Sequence, residues 1–346
     1  MIFKKIVSVA AVAIVVTSGL NAADKILGQG ATFPLPVYKE WAALYYKETK
    51  NQVTYSGGGS GKGVSAITDR NGNFGGSDLA LKSDELEEKK LLQFPGLIGS
   101  VVLAYNISGV DDHALRLDAK AVAGIFSGKI TKWNDPYLVN LNPGLQLPSS
   151  NIVAVVRSES SGSTFNFTSY LAKADEEWAR EYGAEKSINW GAKVTPAQGN
   201  SLVAKTIKQT PNSIGYMEYA YKTQENLDAA TLQSKHGDWV APTKDGFYNA
   251  TLNANFSIKD HFYDVLAYAD GEGSYPIVAA TFIVLPKDDI KKAKQVTKFF
   301  NWVFTNDEAK KTAEDLGYLP LPDEAVKVIN EYWQIYDISA ENSTKL

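Results

Sequence analysis

The chain has 346 residues, 44% of them hydrophobic and 21% charged, with a formal net charge of −4. That length supports two domains with cores of their own, and that composition excludes a disordered or wholly membrane-embedded chain. The absence of cysteine excludes disulfides and a lipid-anchoring cysteine, and the acidic balance excludes the basic footprint of a nucleic-acid binder.

Lys4 and Lys5 precede an apolar run from Ile6 to Leu20, followed by the small residues Asn21, Ala22 and Ala23. That order is expected of a cleavable secretory signal over residues 1–23. The run is shorter than the roughly 20 apolar residues a spanning helix needs. Cleavage after Ala22 or Ala23 leaves 33 basic against 39 acidic side chains, a net charge of −6. The mature protein is then expected to be soluble in a bacterial periplasm.

Short apolar runs alternate with amphipathic segments along the rest of the chain. Lys25–Leu27 reads as a strand. Pro34–Thr49 reads as a helix, with Val37, Trp41, Leu44 and Tyr45 at helical spacing and Pro34 suited to the first turn. Gln52–Ser56 reads as a strand, Lys62–Arg70 as a helix, Phe74–Ser77 as a strand and Ser83–Leu91 as a charged helix. The apolar run Leu97–Ile107 suits a buried strand. Asp118–Phe126 and Gly162–Ala174 read as helices, Ile152–Val156 and Ser213–Glu218 as strands, and Asn142–Ser150 as a loop. Thr281–Leu285 is a further buried strand, followed by helices over Asp288–Val303, Asp307–Leu316 and Asp323–Tyr336. Strands alternating with helices predict α/β layers with largely parallel sheets.

Three segments share one design, a glycine- or hydroxyl-rich turn leading into a predicted helix. They are Gly28–Pro34 (GQGATFP), Gly57–Gly63 (GGGSGKG) and Ser160–Phe165 (SSGSTF). A helix start presents unpaired N–H groups and partial positive charge, glycine lets an anion approach, and hydroxyls add donors. Such turns suit anions, although serine and glycine also serve as ordinary caps. The second turn is not a nucleotide loop, because Ser56 and Gly63 stand where that motif needs glycine and Ser/Thr. The first lacks a third glycine at Phe33, so the dinucleotide fingerprint is not met either.

Arg157 closes the strand run Ile152–Val156, four residues before Ser161. It can grip a tetrahedral oxyanion through two parallel bonds, or simply pair with Glu159. Asp78 follows the short strand FGGS. As a turn residue it needs no ligand. Beside an anion it makes sense only if the anion carries a proton, because an ionised carboxylate can only accept. Phosphate has such a proton near neutral pH, whereas sulfate has none.

The segments GQGATFPLPVY (Gly28–Tyr38), YSGGGSGKGV (Tyr55–Val64), FGGSD (Phe74–Asp78) and VVRSESSGSTF (Val155–Phe165) closely resemble the periplasmic phosphate-binding proteins of bacterial high-affinity phosphate ABC transporters. The resemblance continues in order through FPGLIGSVVLAYN (Phe94–Asn106), GKITKW (Gly128–Trp133), LNPGLQLP (Leu141–Pro148), FTSYLA (Phe167–Ala172), IGYMEYA (Ile214–Ala220) and Thr281–Leu285. It implies an α/β, type II periplasmic binding protein fold of two lobes joined by a hinge. Each lobe would be a mixed, mostly parallel sheet flanked by helices. Residues 24–104 with 278–346 would form one lobe and 105–277 the other, with crossings near Val102–Asn106 and Ser274–Thr281.

Carried over residue by residue, the resemblance implies phosphate contacts at Thr32, Phe33, Ser60, Asp78, Arg157, Ser161, Gly162 and Ser163. Two of the turns depart from the family pattern. Its third turn commonly reads Gly-Ser-Gly-Thr-Ser, against Ser160-Ser161-Gly162-Ser163-Thr164 here, and the residue after Ser60 is often serine but is Gly61, followed by Lys62. At Ser163 the hydroxyl is kept while a methyl is lost, so its bond is expected to survive. The implied partners are inorganic phosphate and the permease subunits of an inner-membrane ABC transporter. A monomer with no cofactor, no metal and no catalytic residue is expected. A receptor for another oxyanion such as sulfate, a secreted phosphatase, and a surface protein reusing the fold remain alternatives. Against the phosphatase, His113, His236 and His261 are the chain's only histidines, and none lies in the turns.

Overall fold

The computed structural model describes residues 25–191, 194–252 and 254–339. The expected leader, residues 1–23, lies outside the described residues.

β1 (Lys25–Gly30) turns Ile26, Gly28 and Gly30 inward. α1 (Leu35–Thr49) buries Val37, Tyr38, Trp41 and Tyr45, one face at helical spacing. It stops at Lys50, whose left-handed backbone (φ 64°) closes its N–H on the Tyr46 carbonyl. β2 (Gln52–Gly57) pairs in parallel with β1. α2 (Ser60–Thr68) starts earlier than the expected Lys62, because Gly59 at φ +92° turns the chain straight from strand into helix. β3 (Phe74–Ser77) pairs in parallel with the other side of β1. α3 (Ser83–Lys89) carries Asp84 and Glu85 in its first turn and Lys89 in its last, as the helix dipole favours.

β4 (Leu91–Asn106) starts well before the expected Leu97. Proline inside a strand argues against that assignment, since it cannot donate to the ladder. Here the register slips opposite Pro95: Phe282 faces Pro95 while Thr281 faces Leu97, leaving Gly96 as an extra residue. That bulge absorbs the missing donor and lets the strand continue.

The middle of the chain adds β5 (Arg116–Leu117), α4 (Ala119–Phe126) and α5 (Pro136–Leu141), the two helices capped by the carboxylates of Asp118 and Asp135. β6 (Val153–Arg157) ends on the arginine, and α6 (Gly162–Ala174) opens under the Ser161 hydroxyl, which accepts from the Thr164 N–H. There follow α7 (Glu176–Glu181), β7 (Val194–Ala197), α8 (Gly199–Gln209), β8 (Ser213–Glu218), α9 (Tyr219–Gln224), β9 (Asp228–Ala229), β10 (Thr231–Gln233), β11 (Trp239–Val240) and α10 (Lys244–Thr251). β12 (Val278–Pro286) precedes the helices α11 (Ile290–Thr305), α12 (Asp307–Asp315) and α13 (Asp323–Ile335).

The main sheet runs in the order β2-β1-β3-β12-β4-β8-β6-β7, with β9 also beside β4, and β11-β10-β5 form a small second sheet. Parallel pairing dominates the flanks, at β1–β2, β1–β3, β6–β7 and β6–β8. The long middle strands depart from the expectation of parallel sheets. β12 lies antiparallel to both β3 and β4, and β4 lies antiparallel to β8. β4 changes neighbours partway along. Leu91 to Ser100 pair with β12, and Val101 to Asn106 pair with β8.

Aromatic clusters pack both flanks. Phe300 meets the rings of Tyr38, Phe74 and Phe94 at centroid distances of 5.8, 5.7 and 5.8 Å. On the other flank Phe167 stacks on Tyr216 at 4.4 Å. No helix among the described residues is long and apolar enough to cross a membrane.

Candidate functional site

The site forms where strand ends of the two flanks converge. β1 ends at Gly30, whose backbone at φ +139° leaves no room for a side chain: a Cβ would lie 2.2 Å from the Gly76 carbonyl. The chain therefore passes closely over β3 and delivers Thr32 and Phe33 to the top of the sheet. β3 delivers Asp78, α2 begins with Ser60, β6 ends in Arg157, and Ser161 to Ser163 open α6.

Arg157 is buried, with relative exposure of 4%. Its Nη1 donates to Ser163 Oγ at 3.2 Å and its Nη2 to Thr32 Oγ1 at 3.2 Å. Nε donates to Glu159 Oε1 at 2.9 Å, and Nη2 contacts the same oxygen. The ion pair with Glu159 is thus made, but in a buried setting, and the guanidinium reaches across to Thr32 as well. The same Glu159 oxygen also accepts from the Gly199 N–H at 3.0 Å. A planar fork with three neighbours on different elements has little freedom left, so its orientation is set before any ligand arrives.

Ser60 links the other half of the cluster. Its Oγ accepts from the Asp78 N–H and the Gly162 N–H, each at 3.1 Å, and stands 3.5 Å from Asp78 Oδ2. Asp78 Oδ1 accepts from the Thr281 hydroxyl at 2.7 Å, and the Asp78 carbonyl accepts from Asn166 Nδ2 at 2.6 Å. Burial pushes the Asp78 carboxyl up to about 7, against the opposing pull of the Thr281 hydrogen bond, the Arg157 charge and the Ser60 hydrogen bond. Gly162 has no room for a side chain, since a Cβ would lie 2.5 Å from Ser60 Oγ and 2.6 Å from Asp78 Cβ.

All eight expected residues therefore lie in or against one cluster. Thr32, Arg157 and Ser163 form one hydrogen-bonded group, and Ser60, Asp78 and Gly162 a second. Ser161 caps the helix that carries Gly162 and Ser163. Phe33 is buried below, its carbonyl accepting from the Tyr318 hydroxyl at 2.7 Å. The Lys62 side chain lies folded over Gly58. A cavity of about 360 Å³ opens beside Ser60 and Gly61, with Lys89 and Lys186 among its lining residues.

Sequence reasoning did not find Asn166, Asn200 or Thr281. Asn200 places both its backbone N–H and its Nδ2 on Thr32 Oγ1, at 3.2 and 2.9 Å. Its signal was available, because Gly199-Asn200-Ser201 opens α8 in the same design as the other turns. Asn166 sits one turn into α6, where its Nδ2 also holds the Gly162 carbonyl. Thr281 reads in the sequence only as the start of a strand.

Chemically the cluster offers hydroxyls, backbone N–H groups, one guanidinium and two carboxylates, Glu159 paired with Arg157 and Asp78 facing Ser60. Ser60 pairs with Asp78 rather than with an imidazole. His113, His236 and His261 instead face Asp112, Asp270 and Tyr332. The described residues contain no group of three or more His, Asp or Glu arranged to hold a metal ion. The set suits recognition of a small oxyanion with a hydrogen of its own.

A family model described as a PBP superfamily domain matches residues 15–307. The phosphate-binding protein PstS of Haemophilus influenzae is 41% identical over 314 residues, covering 90% of this chain and 93% of its own. PstS of Xylella fastidiosa is 42% identical over 311 residues, covering 89% and 85%. PstS of the archaeon Methanocaldococcus jannaschii is 33% identical over 325 residues, covering 86% and 83%. Among solved structures, an ancestral soluble variant of the human phosphate binding protein superposes with a TM-score of 0.71 at 20% identity, covering 92% of this chain and 99% of its own. The periplasmic phosphate-binding protein PfluDING, bound with phosphate, superposes at 0.70 with 21% identity, covering 89% and 93%. These two likenesses establish the fold.

Proposed function

The chain belongs to the PstS phosphate-binding proteins of the PBP superfamily, and on that premise we propose that it captures inorganic phosphate between two lobes and hands it to a membrane ABC permease for import. It is a binding protein of transport. Residues 24–104 with 278–346 make one lobe and 105–277 the other. The change of partner along β4 between Ser100 and Val101 supports that division, as does the start of β12 at Val278.

Phosphate is held from the first lobe by Thr32, Phe33, Ser60 and Asp78, and from the second by Arg157, Ser161, Gly162 and Ser163. Arg157 takes two oxygens through its fork, the α6 amides and hydroxyls surround the anion, and Asp78 accepts the hydrogen of the P–OH group. Binding to both lobes favours the closed state and shifts the population toward it. The protein acts as a monomer in the periplasm after removal of residues 1–23, and it carries out no catalysis. The pairing of Ser60 with Asp78, and the separate partners of the histidines, favour capture over hydrolysis.

The observation that carries this reading is Asp78, a buried carboxylate set among hydroxyls and N–H donors with no cation of the described residues bonded to it, whereas the other carboxylate, Glu159, is paired with Arg157. Fully ionised sulfate has nothing to give it, and leaving such a group unpaired is costly. Calorimetric titration of the wild type near pH 8 with phosphate and with sulfate tests the point. Phosphate is expected to bind at least about 10⁴-fold more tightly. Comparable binding of both ions overturns the assignment of Asp78 and favours a general oxyanion receptor.

A further inference from the structure

Gly61 and Ser160, one departure from each of the two turns that differ from the family pattern, meet in space. Gly61 lies in the first turn of α2, and Ser160 immediately precedes the cap of α6. The Gly61 N–H donates to the Ser160 carbonyl at 3.3 Å. A Cβ on Gly61 would stand 2.5 Å from Ser160 Oγ and 2.7 Å from Ser160 Cβ. Turning χ1 of Ser160 moves its oxygen but not its Cβ, so a rotamer change leaves the second clash in place.

Gly59 extends the same hollow. A Cβ there would lie 2.7 Å from the Ser160 carbonyl oxygen, and its φ of +92° already favours glycine. Ser160 Oγ is buried and has no hydrogen-bond partner. The side-chain contact is therefore one of shape: the serine side chain is seated against Gly61, while Gly59 lies against the Ser160 carbonyl and the Glu159 side chain.

We infer that Gly61 and Ser160 are a reciprocal size pair that sets how closely the two lobes shut, and through that the affinity for phosphate. This rests on the two-lobed reading above. One side chain fills the contact, and the second lobe supplies it. Ser60, next to Gly61, holds the Gly162 N–H and faces Asp78. A displacement at residue 61 therefore reaches the phosphate contacts directly. Folding of the first lobe alone does not call for glycine at 61, since serine is the better helix former there.

The test compares wild type, Gly61→Ser, Gly61→Ala, Ser160→Gly and the exchanged pair Gly61→Ser with Ser160→Gly, all titrated with phosphate by calorimetry. Gly61→Ser and Gly61→Ala are expected to weaken binding about tenfold to a hundredfold, as overpacking does. Ser160→Gly should stay within about threefold of wild type, and the exchanged pair should recover most of the loss. The phosphate-free unfolding midpoint of Gly61→Ser should match wild type, which a merely structural role for Gly61 would not allow. If Gly61→Ser binds like wild type, or the exchanged pair binds no better than Gly61→Ser, the inference is overturned. A wild type that fails to bind phosphate overturns instead the function on which it rests.

Discussion

The Tyr318 hydroxyl stands 2.9 Å from Glu218 Oε2 and 2.7 Å from the Phe33 carbonyl oxygen. One hydroxyl hydrogen cannot serve both acceptors, and the carbonyl has none to give. Both contacts are satisfied when Tyr318 donates to Phe33 and a protonated Glu218 donates to Tyr318. Glu218 is fully buried at the end of β8, its Oε1 has no partner, and burial raises its carboxyl well above the ordinary value of 4.5.

For a carboxyl raised in the folded state, the stabilising contribution is fully present below the unfolded value. It is lost as pH rises through the folded one. Glu218→Gln keeps the shape and removes the titration. Its unfolding midpoint should match wild type below about pH 4.5 and exceed it increasingly on the alkaline side. Chemical denaturation of both proteins across pH, without phosphate, measures this. Parallel profiles would mean that Glu218 does not carry the buried proton.

If Asp78 reads the phosphate hydrogen as proposed, selectivity acquires a pH dependence. With its carboxyl raised to about 7, it holds a proton on the acid side and can then donate to sulfate, whereas above that value it only accepts. The preference for phosphate over sulfate should therefore shrink as pH falls from about 8 to about 6. Asp78→Asn should show weak preference throughout. Titrations of both proteins with both anions separate this from phosphate's own ionisation, which is common to the two.

Arg157 is predicted to tolerate no replacement by lysine. Three neighbours on separate elements are met by a planar fork that a single ammonium cannot reproduce. Arg157→Lys should lose at least about a hundredfold in phosphate affinity. Glu159→Gln keeps an acceptor but loses its charge and should fall in between. Calorimetry gives both values.

Asn166 reaches from α6 to the carbonyl of Asp78. Asn166→Ala leaves that buried carbonyl without its donor, at a cost of about 1–3 kcal/mol. On the proposed two-lobed division the bond joins the lobes, so the loss should fall on closure, weakening phosphate by about fivefold to a hundredfold. The phosphate-free melting temperature should move little, and differential scanning calorimetry checks that half of the expectation.

Much of this arrangement is legible in the sequence because it is local. Gly162–Ala174 is read to the residue, since its Ser161 cap, small first turn and apolar face all lie within one stretch. The eight expected site residues come from the family resemblance; six of them lie in glycine- or hydroxyl-rich turns beside helix starts, whereas Asp78 follows one strand and Arg157 ends another. Asn200 shares the turn design at the start of α8, but nothing local tells what it holds, and Thr281 carries no local mark at all. Each matters because another part of the chain folds against it, Thr32 for one and Asp78 for the other. The extension of β4 back through Pro95 to Leu91 is likewise not local. The bulge that accommodates it is a property of the pair with β12, far along the chain.

The place of β12 bears on how the protein is made. It fills the gap between β3 and β4 but begins only at Val278. A growing chain thus carries two unpaired strand edges that face each other until residue 286 has been synthesised. The first half of the sheet cannot compact early, and long-range pairing of this kind is slow to form. A nascent chain that delays its own assembly stays threadable until nearly all of it has emerged, and it stays open to aggregation for the same interval.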